Sequence, residues 1–189
     1  MDRGAPSDTA IAELLDAANR VAAAAFPRDT VASGQPGLYA WFVDVEGATQ
    51  LSMALGLPVG SGLIYAGQAG AGTSTATLRS RVRGNHLGGT ITGSTFRLTL
   101  ASLLAKDLGL VDAGGRRLAA EGETRLTTWM LEHLALAITP APNRAALSHL
   151  EDDVLAKLNP PLNLQGMAPS AVRNALRESR RRPLGRMTR

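Results

Sequence analysis

The sequence predicts a mixed α/β (α+β) fold with a small sheet. Two observations carry the prediction. Short runs at 37–47 (GLYAWFVDVEG) and 60–67 (GSGLIYAG) set aromatic and apolar residues between glycines, as strands do. Longer runs space apolar residues at i, i+3, i+4 and i+7, as helices do. The strands are too few for a doubly wound parallel sheet. At 189 residues and 44% apolar composition, the chain suits one domain with extensions.

Residues 8–26 read as a helix. Ile11, Leu14, Leu15, Ala18, Val21, Ala22 and Ala25 keep the helical spacing, and Ser7, Asp8 or Thr9 can cap its start. PRDTVASGQPG (27–37) is a connector rich in turn formers, and the two strands follow it. LSMALGLPVGSG (51–62), between them, is too glycine-rich to assign. Ala76 to His86 is helical, with Leu78 and Val82 on its buried side. After the Gly/Thr/Ser stretch LGGTITGST (87–95), FRLTLASLLAKDLG (96–109) reads as a helix ending at Gly109, and DAGGRR (112–117) as a turn. ETRLTTWMLEHLALAIT (123–139) begins as a helix and ends as a strand stopped by Pro140. NRAALSHLEDDVLAKLN (143–159) is a helix striped by Ala146, Leu150, Val154 and Leu158 and stopped by Pro160 and Pro161. A last, basic helix starts at Ser170.

Net charge is +4, which favours an anionic partner. It is unevenly placed: residues 171–189 carry seven arginines against Glu178, so the rest of the chain sums to −2. With no cysteine, disulfides, Cys-based zinc sites and thiol nucleophiles are excluded. The opening MDRGAPSD lacks a signal pattern, and the apolar run Val21 to Phe26 is far too short to span a bilayer. The expectation is a soluble cytoplasmic protein with no membrane partner.

The segment Gly67 to Ser74 (GQAGAGTS) has the glycine spacing of a phosphate loop but carries Thr73 where that loop needs a lysine. No later strand offers the aspartate that would hold magnesium. Gly67, Gly70 and Gly72 also miss the dinucleotide spacing. The glycines therefore read as a chain turn.

The only two tyrosines sit on the first two strands, in Gly37-Leu38-Tyr39 and Tyr65-Ala66-Gly67. By themselves they suit half-buried sheet positions equally well. Leu78-Arg79-Ser80-Arg81-Val82 follows on a helix, with Arg81 on one flank of the Leu78/Val82 stripe and Arg79 and Arg83 on the other. Later comes LEDDVLAKLNPPLN (150–163), a helix with Glu151 on its buried edge, then a Pro-Pro-Leu-Asn turn. In this ordered set the chain resembles the GIY-YIG nuclease family. That family's Gly-Ile-Tyr and Tyr-Ile-Gly motifs match the two tyrosine triplets, its helical arginine matches Arg81, its metal-binding glutamate Glu151 and its supporting asparagine Asn163. The family often has His or Tyr four residues past the arginine; here Asn85 is fourth and His86 fifth. On an unbroken α-helix His86 would point about 140° from Arg81, and Gly84 is the place where the helix can end early to bring it back. His133 and His149 read as ordinary helix residues.

The resemblance spans residues 36–166, with 94–142 less clearly placed. It implies a small three-stranded, mainly antiparallel sheet flanked by helices, the third strand near Leu134 to Thr139. The implied organisation is an N-terminal helical extension (1–35), a catalytic domain (36–168) and a basic C-terminal tail (169–189). It implies a metal-dependent DNA endonuclease using one divalent cation, Mg2+ or Mn2+, held by Glu151. Arg81 would stabilise transition-state charge, Tyr39 would help activate water with His86 as a further candidate, Tyr65 would hold water or phosphate, and Asn163 would brace the site. Arg79, Arg83, Arg173, Arg177, Arg180 and Arg181 are the expected phosphate contacts, charged donors that carry no sequence reading. The competing readings are a catalytically inactive DNA-binding module on the same fold and, less well supported, a nucleotide-handling enzyme.

Overall fold

A computed structural model describes residues 4–27, 30–182 and 184–186. Helix α1 (Gly4–Leu15) leads into strand β1 (Val21–Ala22). Strand β2 (Gly37–Val43), helix α2 (Val45–Leu55) and strand β3 (Gly62–Ala69) follow. A π-helix (Ser80–Leu87) then precedes helix α3 (Thr95–Leu104), strand β4 (Val111–Asp112) and helix α4 (Ala120–His133). Strand β5 (Leu134–Pro140), helices α5 (Leu147–Leu158) and α6 (Ala171–Arg181) and strand β6 (Gly185–Arg186) complete the described chain.

The main sheet is antiparallel with the order β1-β5-β2-β3. It has four strands, not the predicted three. The extra one is β1, cut from the stretch read as the end of the first helix. That helix stops at Leu15, and Asp16 then accepts the Ala18 N–H at 2.9 Å to cap a 3-10 turn. The turn leaves β-branched Val21 opposite Leu136, an extended position it suits. β4 and β6 form a separate two-stranded parallel pair.

Helix α2 starts inside the stretch read as the first strand, which ends at Val43, and runs into the glycine-rich segment that the sequence does not assign. Asp44 accepts the Gly47 N–H at 2.7 Å, a cap of about 1 kcal/mol, and Gly56 closes the helix at φ 66°. Between α4 and β5 the chain passes from helix to strand at Leu134, as predicted.

Both faces of the central strand β2 are covered, and all seven of its residues are buried. Leu38, Ala40 and Phe42 pack with α1 and α5 residues such as Leu14, Leu147 and Val154. Tyr39, Trp41 and Val43 join the larger core with Val82, Phe96, Leu126 and Leu176 on the opposite side. Leu176 belongs to α6, so the basic C-terminal stretch supplies core as well as charge.

Trp41 pairs with Tyr65 and Phe42 with Leu63, which leaves Ile64 as a bulge in β3. A bulge sends two successive side chains to one face. Ile64 and Tyr65 accordingly both join the core on Trp41's side, and Tyr65 comes to lie near Tyr39.

Candidate active site

Tyr39 is 3% exposed, and its hydroxyl lies 2.9 Å from His86 Nε2. Its cross-strand partner is Gly67. A Cβ there would sit 2.7 Å from the Tyr39 hydroxyl and 3.0 Å from its Cζ, so only glycine allows this approach. Gly37 is equally constrained, because a Cβ would overlap the Thr139 carbonyl on β5. Both motif glycines are therefore packing requirements of the first tyrosine's strand. Gly67→Ala should displace the Tyr39 ring and cost about 1–3 kcal/mol, read as a lowered denaturation midpoint.

His86 reaches Tyr39 through the π-helix. Its i→i+5 hydrogen bonding, as from Gly88 N–H to the Arg83 carbonyl at 2.7 Å, brings the fifth residue back over the first. The fifth residue after Arg81 is His86. The predicted early helix end at Gly84 does not occur; the helix widens instead. The wide end is held by Arg97, whose buried guanidinium donates to the His86 and Leu87 carbonyls at 2.9 and 3.1 Å and pairs with Glu123 at 2.6 Å. Removing one member of a buried pair of this kind costs about 3–5 kcal/mol.

His86 is 3% exposed, and burial first, then Arg81 and Arg97, push its pKa down to about 3. Its imidazole is neutral at physiological pH. The folded value lies below the unfolded one of about 6.5, so the unfolded chain takes up a proton that the native state refuses. Stability from this group is present above about pH 6.5 and is lost as pH falls toward 3. Nitrogen NMR should show His86 still neutral at about pH 5, where an ordinary histidine is charged.

Tyr65 stacks on Phe96 at 4.6 Å and 28°. Burial raises its pKa, opposed by a hydrogen bond with Thr95. Burial, then Tyr65, raise Tyr39 well above the usual phenol range. Both phenols are therefore protonated at neutral pH.

Glu151 is carried by α5 to the open edge of β3. Burial and neighbouring Asp152 raise its pKa to about 7, against the pull of the Gln68 N–H and Arg81. It forms no ion pair among the described residues. Arg81 is half-buried, and its charge is felt at Tyr39, Tyr65, His86 and Glu151 alike. One cation thus acts electrostatically on two phenols, an imidazole and a carboxyl. A cleft of about 640 Å³ opens beside them, lined by Tyr65, Gln68, Thr95, Glu151, Asn163 and Arg180 among others. Tyr39, Arg81 and His86 lie off its wall.

Asn163 spans the same edge. Its side chain accepts from the Ala66 N–H at 3.0 Å and donates to the Ala66 carbonyl at 2.8 Å, between Tyr65 and Gly67. The Leu162 N–H adds a bond to the Ile64 carbonyl at 3.0 Å.

The predicted phosphate contacts divide. Arg180 is on the cleft wall, Arg79 and Arg181 are exposed, and Arg177 is half-buried beside Asn174. Arg173 is a correction. It is 3% exposed and donates to the Asn163, Ala168 and Pro160 carbonyls and to Asn159 Oδ1, so it clamps the turn that carries Asn163. Arg83 gives Nη1 to the Phe26 carbonyl at 2.7 Å and ties down the chain just ahead of the connector. In a run of arginines, sequence offers no mark for the one turned inward.

The glycine loop shows its polarity. The Gly70, Ser74 and Ala76 carbonyls converge on the Arg144 guanidinium. Carbonyls facing a cation are the reverse of the N–H cradle that a phosphate needs.

A family model described as the GIY-YIG catalytic domain matches residues 37–182. The chain belongs to that family. GIY-YIG proteins are nucleases that generally use divalent metals. No curated protein and no solved structure matches the chain. The GIY-YIG match runs through α6, the helix that supplies Arg173 and Arg180. No described helix is long and apolar enough to cross a membrane.

Proposed function

We propose that this chain is a metal-dependent endonuclease that hydrolyses DNA phosphodiester bonds at the site around Arg81. What carries the reading is the gathering of Tyr39, Tyr65, His86 and Glu151 around that one cation. A guanidinium stays charged and offers two donors to phosphate oxygens, which suits a pentacoordinate phosphorus.

Glu151 fits a divalent cation. Its carboxyl is half-buried, lacks an ion-pair partner among the described residues and opens on the cleft. No group of three or more His, Cys, Asp or Glu suited to a metal exists among the described residues. A hard cation held by one carboxylate, completed by water and phosphate oxygens, is the habit of magnesium. When bound, it would polarise the phosphate and stabilise the departing 3′ oxygen.

The protein's own groups do the rest. Tyr65, on the cleft wall, positions a water or a phosphate oxygen. Tyr39, protonated and hydrogen-bonded to His86, works within a relay rather than as a standing phenolate. Asn163, clamped by Arg173, keeps β3 in place under both tyrosines. Arg180 contacts the adjoining phosphate, and Arg79, Arg177 and Arg181 neutralise the backbone further out.

Supercoiled plasmid is the test. Nicking with Mg2+ or Mn2+ that stops with EDTA, and is lost in Tyr39→Phe, is the expected result. Plasmid retarded in a gel yet uncut under every metal would make the chain an inactive DNA-binding module.

A further inference from the structure

We infer that Thr99 and Arg180 together form a phosphate subsite in the cleft, separate from Arg81, that takes a flanking phosphate of the strand being cut. The inference rests on the nuclease reading for the identity of that strand. Two helices build the subsite. Thr99 stands on α3 and Arg180 in the last turn of α6, and both line the cleft of about 640 Å³. Ser179 Oγ donates to the Ser102 carbonyl at 3.0 Å, which ties the helices together one residue before Arg180 and about one turn past Thr99.

Each residue carries a polar group that the protein leaves unmet. Thr99 is 1% exposed, and its hydroxyl has no hydrogen-bond partner among the described residues. The fully enclosed side-chain atoms that lack partners among those residues are Trp41 Nε1, Arg97 Nε and Thr139 Oγ1. The Thr99 oxygen is not one of them, so it keeps an opening, and the cleft is the opening that Thr99 lines. A water would satisfy this hydroxyl by itself; Arg180 makes the place one for an anion.

Arg180 is half-buried, and its guanidinium has no hydrogen-bond or ion-pair partner among the described residues. Glu151 lines the same cleft without pairing with it. Arg116 brings a second positive charge. Its Nη2 donates to the Arg180 carbonyl at 2.6 Å, and burial, then Arg116, weaken the hold of Arg180 on its proton. Two like charges held together, one of them partly out of water, are a cost that a bound anion offsets. A planar fork of N–H groups beside a hydroxyl suits phosphate oxygens.

Placement selects the phosphate. Thr95, one turn before Thr99 on the same face of α3, hydrogen-bonds Tyr65. Tyr65 responds to both Arg81 and Arg180, whereas Tyr39, His86 and Glu151 respond to Arg81 and not to Arg180. Arg180 and Thr99 thus act one step removed from the groups gathered around Arg81. That is the place of a flanking phosphate and not of the one that reacts.

Binding of a short DNA duplex by the whole chain in EDTA, followed by fluorescence anisotropy across a salt series, tests the subsite without cleavage. Thr99→Val removes the hydroxyl and keeps the shape. It should weaken binding roughly 10-fold with an unchanged salt slope, and melt at or above the wild-type temperature, since no protein partner is lost. Arg180→Gln should weaken binding by a similar factor and flatten the salt slope by about one. The double variant should lose much less than the product of the two losses, because both residues hold one phosphate. Losses that multiply place them on separate phosphates and overturn the subsite. Wild-type affinity in Thr99→Val overturns it too, even in a protein that nicks plasmid. Inorganic phosphate that shifts the amide NMR signals of Thr99 and Arg180 where the duplex does not assigns the place to the free ion and overturns the strand. The full pattern in a chain that cuts nothing under any metal keeps the subsite and defeats the nuclease reading instead.

Discussion

Glu151→Ala is expected to lower metal-dependent plasmid cleavage by about 10³-fold or more, since the charge stabilisation a bound metal supplies is worth several kcal/mol. The loss should not come from unfolding. Glu151 is half-buried on α5 without an ion-pair partner among the described residues, and burial disfavours its charged form. Removing that charge relieves an unfavourable term in the metal-free protein. Glu151→Gln should therefore melt at or above the wild-type temperature without divalent metal, while added Mg2+ should raise the melting point of the wild type alone. Calorimetry with and without Mg2+ checks both. A variant that cuts DNA at the wild-type rate would remove Glu151 from the reaction.

Arg81→Ala is expected to cost about 10²–10³-fold in cleavage, the usual effect of deleting a preorganised charge donor. Arg81→Lys should recover only part, because an ammonium lacks the planar fork. The substitution has a second signature. Arg81 lowers the pKa of Tyr39, Tyr65 and Glu151 and also lowers that of His86. Without it the phenols and the carboxyl hold their protons more firmly, and His86 becomes easier to protonate. Its titration should move upward from about 3 toward the ordinary value, and the stability lost on acidification should shrink. Nitrogen NMR across the acid range, on wild type and variant side by side, measures the shift. An identical titration in both would place Arg81 too far from the imidazole to act on it.

Much of this arrangement was legible in the sequence. Strands β2 and β3, the helix-to-strand passage at Leu134 and the existence of α5 followed from apolar spacing and glycine boundaries. The α5 stripe did not: Leu147, Val154 and Leu155 are its buried residues, Leu150 and Leu158 are half-buried, and Ala146 is exposed ahead of the helix. The family resemblance named Tyr39, Tyr65, Arg81 and Glu151, and these are the residues that the electrostatics couple. What stayed hidden has physical reasons. A 3.6-residue period cannot report a π-helix, so His86 seemed misaimed by its extra residue. β1 is two residues long and owes its existence to pairing with β5, a long-range contact with no local signature. Asp44 and Gly56 bracket α2 as cap signals do, but the glycines around them masked the pattern. Thr99 lay on a predicted helix, but which of that helix's polar side chains meets a cleft depends on the helix that comes to rest against it.

The Asn163 amide answers both hydrogen-bonding groups of Ala66, on the side of β3 that no strand covers. One side chain thus does the work of a neighbouring strand at the point where another copy could dock edge to edge. Those two groups are thereby withheld from an incoming strand, and a protein with alanine at 163 should expose them and pair with itself more readily as its concentration rises.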